Sequence, residues 1–225
     1  MKLTKYLIIV AAMAWSSASA ALYTLNNGSG STATGIQMPD GSTFRSGTTA
    51  GTPFPTGGGI SAGPGVVAFG TFDVESFAGV TSATQLVALF DQFGSATVEF
   101  NAAGPTGVRS VFSSAQTETL AGSTLAGDEI FLFAGNGTTL LNSTHFVIVK
   151  TTFTFDPAQD SNPLPNVLSV NTTNGTVLFG SLVANVQTAN TDASVNAGWQ
   201  MAPIPEPSAA LLGLLGAIGL IRRRR

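Results

Sequence analysis

From residue 96 onward, short runs of β-branched and aromatic residues are punctuated roughly every 10–15 residues by glycine, proline or asparagine. That pattern confines the chain to a sheet-rich fold. Val98 and Phe100 alternate onto one face, and residues 108–112 follow a Gly-Pro turn. Ile130, Phe131, Leu132 and Phe133 are contiguous and apolar, which predicts a strand buried on both faces. Residues 146–149 and 151–155 read as one long strand with Phe153 and Phe155 on the same side. Residues 167–170 and 176–186 read as a hairpin about Asn174-Gly175, a dipeptide suited to the positive φ angles of a tight turn. Residues 66–74 are also β-prone. The Gly-, Ser-, Thr- and Pro-rich stretch 26–65 reads as loops with one or two short strands, and disorder is the alternative for part of it. One helix is expected over residues 83–93. Leu86, Leu89, Phe90 and Phe93 share a face, Thr81 or Ser82 stands at the N-cap, and Gln85 completes a capping box with Ser82. The fold class is therefore mainly β, a β-sandwich or jelly-roll-like body with one short helix.

The two ends have a different character. Lys2 and Lys5 precede an apolar run over residues 7–15, and Ala18-Ser19-Ala20 is a small-residue cleavage pattern. These features predict a signal peptide, residues 1–20, removed after Ala20. At the other end, Pro205-Glu206-Pro207 precedes the uncharged residues 209–221, then Arg222, Arg223, Arg224 and Arg225. Thirteen helical residues span about 20 Å, short of a hydrocarbon core of about 30 Å. The positive-inside rule places the arginines in the cytoplasm and the body outside. Gly213, Gly216 and Gly219 line one small-residue face. Pro203, Pro205 and Pro207 keep the preceding chain extended and open to a processing enzyme.

Pro205-Glu206-Pro207, the short apolar segment and the arginine end resemble the PEP-CTERM sorting signal of Gram-negative bacteria. The resemblance covers about 21 of the 225 residues. It implies recognition and cutting by exosortase, a membrane cysteine protease or transpeptidase, after export by the Sec machinery. It further implies a transient membrane helix at an inner-membrane stage, then delivery to the cell surface or extracellular polysaccharide. The organisation expected is a signal peptide (1–20), a β-rich extracytoplasmic passenger (21–202) and a sorting signal (203–225).

Removing both ends alters the charge. Six of the nine basic residues lie in them, so the body keeps Arg45, Arg109 and Lys150 against eleven acids, an excess of about eight negative charges. Such a body does not attract nucleic acid. With no cysteine there are no disulfide staples, but about 180 residues suffice for one hydrophobic core.

Catalytic signatures are sparse. His145 is the sole histidine and reads as a strand-edge residue rather than a general base. No phosphate loop is present, and Gly57-Gly58-Gly59 reads as a turn. Asp73 and Glu75 would share one face of a strand, whereas Asp128 and Glu129 would point oppositely. No catalytic residue, metal ligand or cofactor is assigned. Asp156, Asp160 and Asn162 form the one loop considered for Ca²⁺, without EF-hand spacing. Asn-x-Ser/Thr triplets begin at Asn27, Asn136, Asn142, Asn171 and Asn174 and are read as chance in a Ser/Thr-rich bacterial chain. Trp199 is either a lid on the core or a sugar-stacking aromatic. Two functions follow: a noncatalytic surface or matrix protein associated with exopolysaccharide or envelope, and a carbohydrate-binding or carbohydrate-active passenger.

Overall fold

A computed structural model describes residues 20–28, 33–45, 48–54, 59–100, 109–187 and 195–204. Ala18, Pro205, Glu206, Pro207, Arg222, Arg223, Arg224 and Arg225 lie outside them, as do the expected leader and C-terminal apolar helix. Among the described residues no helix is long and apolar enough to cross a membrane.

The described chain is mainly β. In order it forms β1 (Ala21–Asn26), β2 (Ile36–Gln37), β3 (Val66–Phe72), α1 (Ala83–Ala88), β4 (Phe90–Gln92), β5 (Val98–Glu99), β6 (Ser113–Glu118), β7 (Glu129–Gly135) and β8 (His145–Thr154). Then come β9 (Asn166–Ser169), β10 (Gly175–Phe179), β11 (Ser181–Gln187), β12 (Val195–Gln200) and β13 (Ala202–Pro203). Short 3-10 segments cover Glu75–Phe77 and Pro157–Ser161.

The largest sheet runs β10-β8-β7-β3-β4, with β13 beside β8 and β5 beside β3. Its central strands bury both faces, as the unbroken apolar runs require. Ile130, Leu132, Val147, Val149, Val67 and Phe69 face one core, while Phe131, Phe133, Phe146, Ile148, Val66 and Ala68 face another. The first core is closed by a smaller sheet, β6-β1-β9, through Ala21, Tyr23 and Leu25, and by Trp199 of a third sheet, β11-β12-β2. The second core is closed by Leu86 of α1, Phe77 and Leu140.

Aromatic rings join the layers. Phe93 stacks on Phe155 at 4.9 Å and on Phe69 at 5.4 Å, and Tyr23 meets Phe93 and Phe155 edge-on at 5.3 and 5.4 Å. These are the favoured geometries for ring quadrupoles. Gly70 lets β4 approach β3, since a Cβ there would stand 2.0 Å from the Asp91 carbonyl oxygen.

Strands β7 and β8 match the expected strands closely. The helix is shorter than the apolar stripe suggests. Ser82 Oγ accepts from Gln85 N at 3.2 Å, but Gln85 Oε1 turns to Thr81 N and Oγ1 rather than to Ser82. The helix stops at Leu89 because Phe90, Asp91 and Gln92 pair with Phe72, Thr71 and Gly70. Phe93 then crosses to the other core, its N–H bonded to the Phe69 carbonyl at 2.9 Å.

The hairpin about Asn174-Gly175 does not form. Strand β9 pairs with β1 and β10 with β8, in different sheets. The intervening turn is built instead by Asn171 Oδ1, accepting from Thr173 N and Asn174 N, and Asn174 Nδ2, donating to Ser169 O. The run 176–186 also breaks in two at Gly180, whose φ of 98° turns the chain from one sheet into another. The apolar residues Val111 and Phe112 are buried, but the neighbouring strand is the polar segment β6. Strand β6 carries too little apolar alternation to stand out in sequence, whereas β1 and β12 do alternate and are not among the expected strands.

Asn27 is buried and fastens three segments. Its Nδ2 donates to Thr34 O and Ser110 O at 2.7 Å each, and its Oδ1 accepts from Phe112 N at 2.9 Å. Ser110, at a positive φ of 53°, is held there by paired bonds with Phe44. Asn27→Ala would orphan three buried backbone groups. It is expected to cost about 3 kcal/mol or more in urea unfolding, and a loss below about 1 kcal/mol would contradict this role.

Tyr23 is fully buried, and that burial raises its phenol pKa above 10.0, against the lowering effect of the N–H donated by Asp156 at 2.8 Å. A raised folded pKa means stability present below the unfolded value and lost as pH climbs through the folded one. Absorbance at 295 nm should therefore show a late Tyr23 titration coincident with unfolding, and Tyr23→Phe should remove that alkaline step.

Candidate functional site

Strand β3 ends at Phe72, so Asp73 and Glu75 do not share a strand face; Asp73 lies on the turn after β3 and Glu75 opens the 3-10 segment. Asp128 and Glu129 open β7 beside them. All four line one cleft of about 330 Å³, together with Phe72 and Phe131. Both acidic pairs named from the sequence thus border the same cleft. Glu129 is paired with Lys150 at 2.6 Å, an exposed contact that contributes little to stability. The Ser76 hydroxyl and N–H hold the Asp73 carboxyl below its ordinary value. A general acid needs the opposite shift. Among the described residues no three His, Cys, Asp or Glu side chains converge on a metal position.

The other candidates are engaged in structure. His145 begins β8, with Nδ1 3.0 Å from Thr144 Oγ1. Ser42 Oγ donates to Asp40 at 2.6 Å, and the hydroxyl and N–H of Ser42 lower the Asp40 pKa, with His145 a lesser influence. A Ser-His-Asp relay needs the hydroxyl on the histidine instead. In the loop considered for Ca²⁺, Asp156 caps Ala158 N at 2.9 Å, and Asn162 Oδ1 accepts from Leu164 N at 3.0 Å. Asp160 receives three backbone N–H groups, from Ala21, Leu120 and Ala121, at 3.1, 2.9 and 2.7 Å. These oxygens accept from backbone N–H groups and fasten the chain.

The asparagines are fasteners too. Asn136 Oδ1 accepts from Thr144 N and His145 N, and Asn142 Oδ1 from Thr139 N. Asn171 and Asn174 act likewise through local turn chemistry, whereas Asn27 bonds across distant segments, so every triplet asparagine is engaged in backbone contacts. Trp199 is fully buried, with its indole N–H unpartnered among the described residues, so it cannot stack on a sugar from solvent. Arg109, also buried, stacks 3.7 Å from the Phe54 ring centroid and donates to Gln187 Oε1 at 2.8 Å. No local sequence pattern links three residues so distant.

The route toward the C-terminal tail is defined up to Ile204. Met201 N donates to Gln37 O at 2.9 Å, then Ala202 and Pro203 pair with Phe146 and His145. Ile204 lines an apolar pocket of about 230 Å³ with Phe77, Val80, Leu86 and Phe179. The body thus extends two residues beyond Ala202, and its last described side chain directly precedes Pro205. The extended backbone agrees with the proline spacing, but the strip at 202–204 is docked rather than free.

Ile204→Asp should undock this strip. Amide exchange at Met201 and Ala202 should accelerate about tenfold or more, equivalent to about 1.4 kcal/mol, and unchanged protection would refute the anchoring role. No protein-family model, curated protein or solved structure matches the chain.

Proposed function

We propose that the chain is an exported, noncatalytic surface or matrix protein, sorted by exosortase through its C-terminal tail and associated with exopolysaccharide or envelope. The observation that carries this reading is the order of the tail: Pro205-Glu206-Pro207, an uncharged apolar run, then Arg222 to Arg225. The signal-peptide pattern ending at Ala20 supports the same route through the Sec machinery. The body serves as a β-sandwich passenger whose two-faced central sheet stands without disulfides or an assigned cofactor. The acidic balance of residues 21–202 disfavours nucleic acid as a partner.

Docking of residues 202–204 supports a short connection between passenger and sorting motif. A folded body held this close to the bilayer presents the motif at the membrane surface. The apolar run then acts as a transient anchor during processing, with its arginines retained in the cytoplasm.

A carbohydrate-binding or carbohydrate-active passenger is the second reading, favoured by the convergence of Asp73, Glu75, Asp128 and Glu129 on one cleft. Purified body retained on the organism's exopolysaccharide would support binding. Depolymerisation abolished by an Asp73→Ala, Glu75→Ala double variant would overturn the noncatalytic reading.

For sorting, Glu206→Ala or deletion of the four terminal arginines should leave uncleaved precursor in the inner membrane. Fractionation and immunoblotting measure this directly, and undiminished surface delivery would sink the proposal.

A further inference from the structure

The first strand starts at the expected processing boundary. Ala20 is exposed, whereas Ala21 is fully buried and its nitrogen lies 3.1 Å from Asp160 Oδ1. Asp160 is itself held by Leu120 N and Ala121 N. Strand β1 is flanked by β6 and β9, and Tyr23, two residues on, accepts from Asp156 N. The Ala21 nitrogen is therefore positioned by tertiary structure against a fixed carboxylate.

We propose that Asp160 is the receptor for the α-ammonium that signal-peptide removal creates on Ala21. The inference rests on the reading that the leader is cut after Ala20. In that hydrolysis water breaks the Ala20–Ala21 C–N bond; its oxygen joins the Ala20 carbonyl, which departs as a carboxylate. The Ala21 nitrogen gains the protons and becomes –NH₃⁺. That nitrogen stays on the strand, so a neutral N–H at Asp160 becomes a cation at the same position. Contacts with charge on both partners are shorter and stronger than neutral ones. Among the described residues, the charged or titratable groups facing this end of β1 are Asp160 of the 3-10 segment, Asp156 at its N-cap, Glu118 across the ladder on β6, and Tyr23. Glu118 is bonded to Gly94 N at 2.6 Å. The local field is acidic and favours the ammonium. Processing would thus strengthen the fold, adding charge to a contact that the precursor makes only through a neutral N–H.

The test expresses the full chain with its leader in a Gram-negative host and recovers the processed protein in detergent. N-terminal sequencing reads the start. Four forms are compared: wild type, D160N, a form with one alanine inserted between Ala20 and Ala21, and the two changes combined. Insertion moves the ammonium off Asp160 while restoring an amide there. It should lower Tm by about 3 °C at pH 6.5, and by much less in the D160N background.

The ammonium held by Asp160 titrates above the ordinary α-amino value of about 7.7–8.0. Its contribution is full below that range and fades as pH rises through the raised value, so the insertion deficit should shrink in alkali. A wild-type start other than Ala21 would overturn the cleavage reading and the inference with it. A start at Ala21 with additive, pH-independent effects would overturn the Asp160 role alone. If D160N does not fold, the pH profile of the insertion form decides the matter.

Discussion

The contact of Tyr23 with the Phe69–Phe93–Phe155 stack holds the two principal sheets together. Tyr23 comes from the smaller sheet, Phe69 from β3 of the larger one, and Phe93 and Phe155 directly follow β4 and β8 of that larger sheet. The rings bury large area and fix orientation at once. The Tyr23 hydroxyl also takes the Asp156 N–H, so the same side chain anchors the loop that carries Asp160. Core packing, the start of β1 and the Asp160 cradle are thus mechanically continuous.

Around this core, side-chain amides and carboxylates take the place of disulfides in fastening loops. Asn27, Asn136, Asn171, Asn174 and Asp160 each satisfy backbone groups at a chain crossing or turn. Buried backbone polar groups need such partners, and in a chain of low charge density Asn supplies donors and acceptors together. A composition that looks merely hydrophilic is thereby structural.

The proposed division of labour follows from where chemistry and order lie. The acids of the cleft are exposed, and Asp73 is biased toward its charged form, a poor setting for general-acid catalysis. The segments with directional information are the leader pattern and the C-terminal tail. Between them the body contributes a buried strand start at Ala21 and a docked exit at Ile204, positioned beside the two expected processing regions.

Strands β7 and β8 were legible because contiguous apolar residues buried on both faces leave few alternatives. Strand β6, SSAQTE, was not, because its place beside β1 depends on pairing across distant sequence rather than on its own pattern. The stripe Leu86, Leu89, Phe90 and Phe93 satisfied helical spacing, yet pairing with β3 claimed its second half and sent Phe93 to the opposite core. The four cleft acids could be named singly; only the turn after β3 brought them together. By itself the sequence determined a β-rich, cysteine-free, acidic body with an ordered pattern at each end, because composition and local periodicity are properties of neighbouring residues. Tertiary structure alone decided strand partners, the burial of Trp199 and the meeting of Ala21 with Asp160, because those contacts join residues that no local spacing relates.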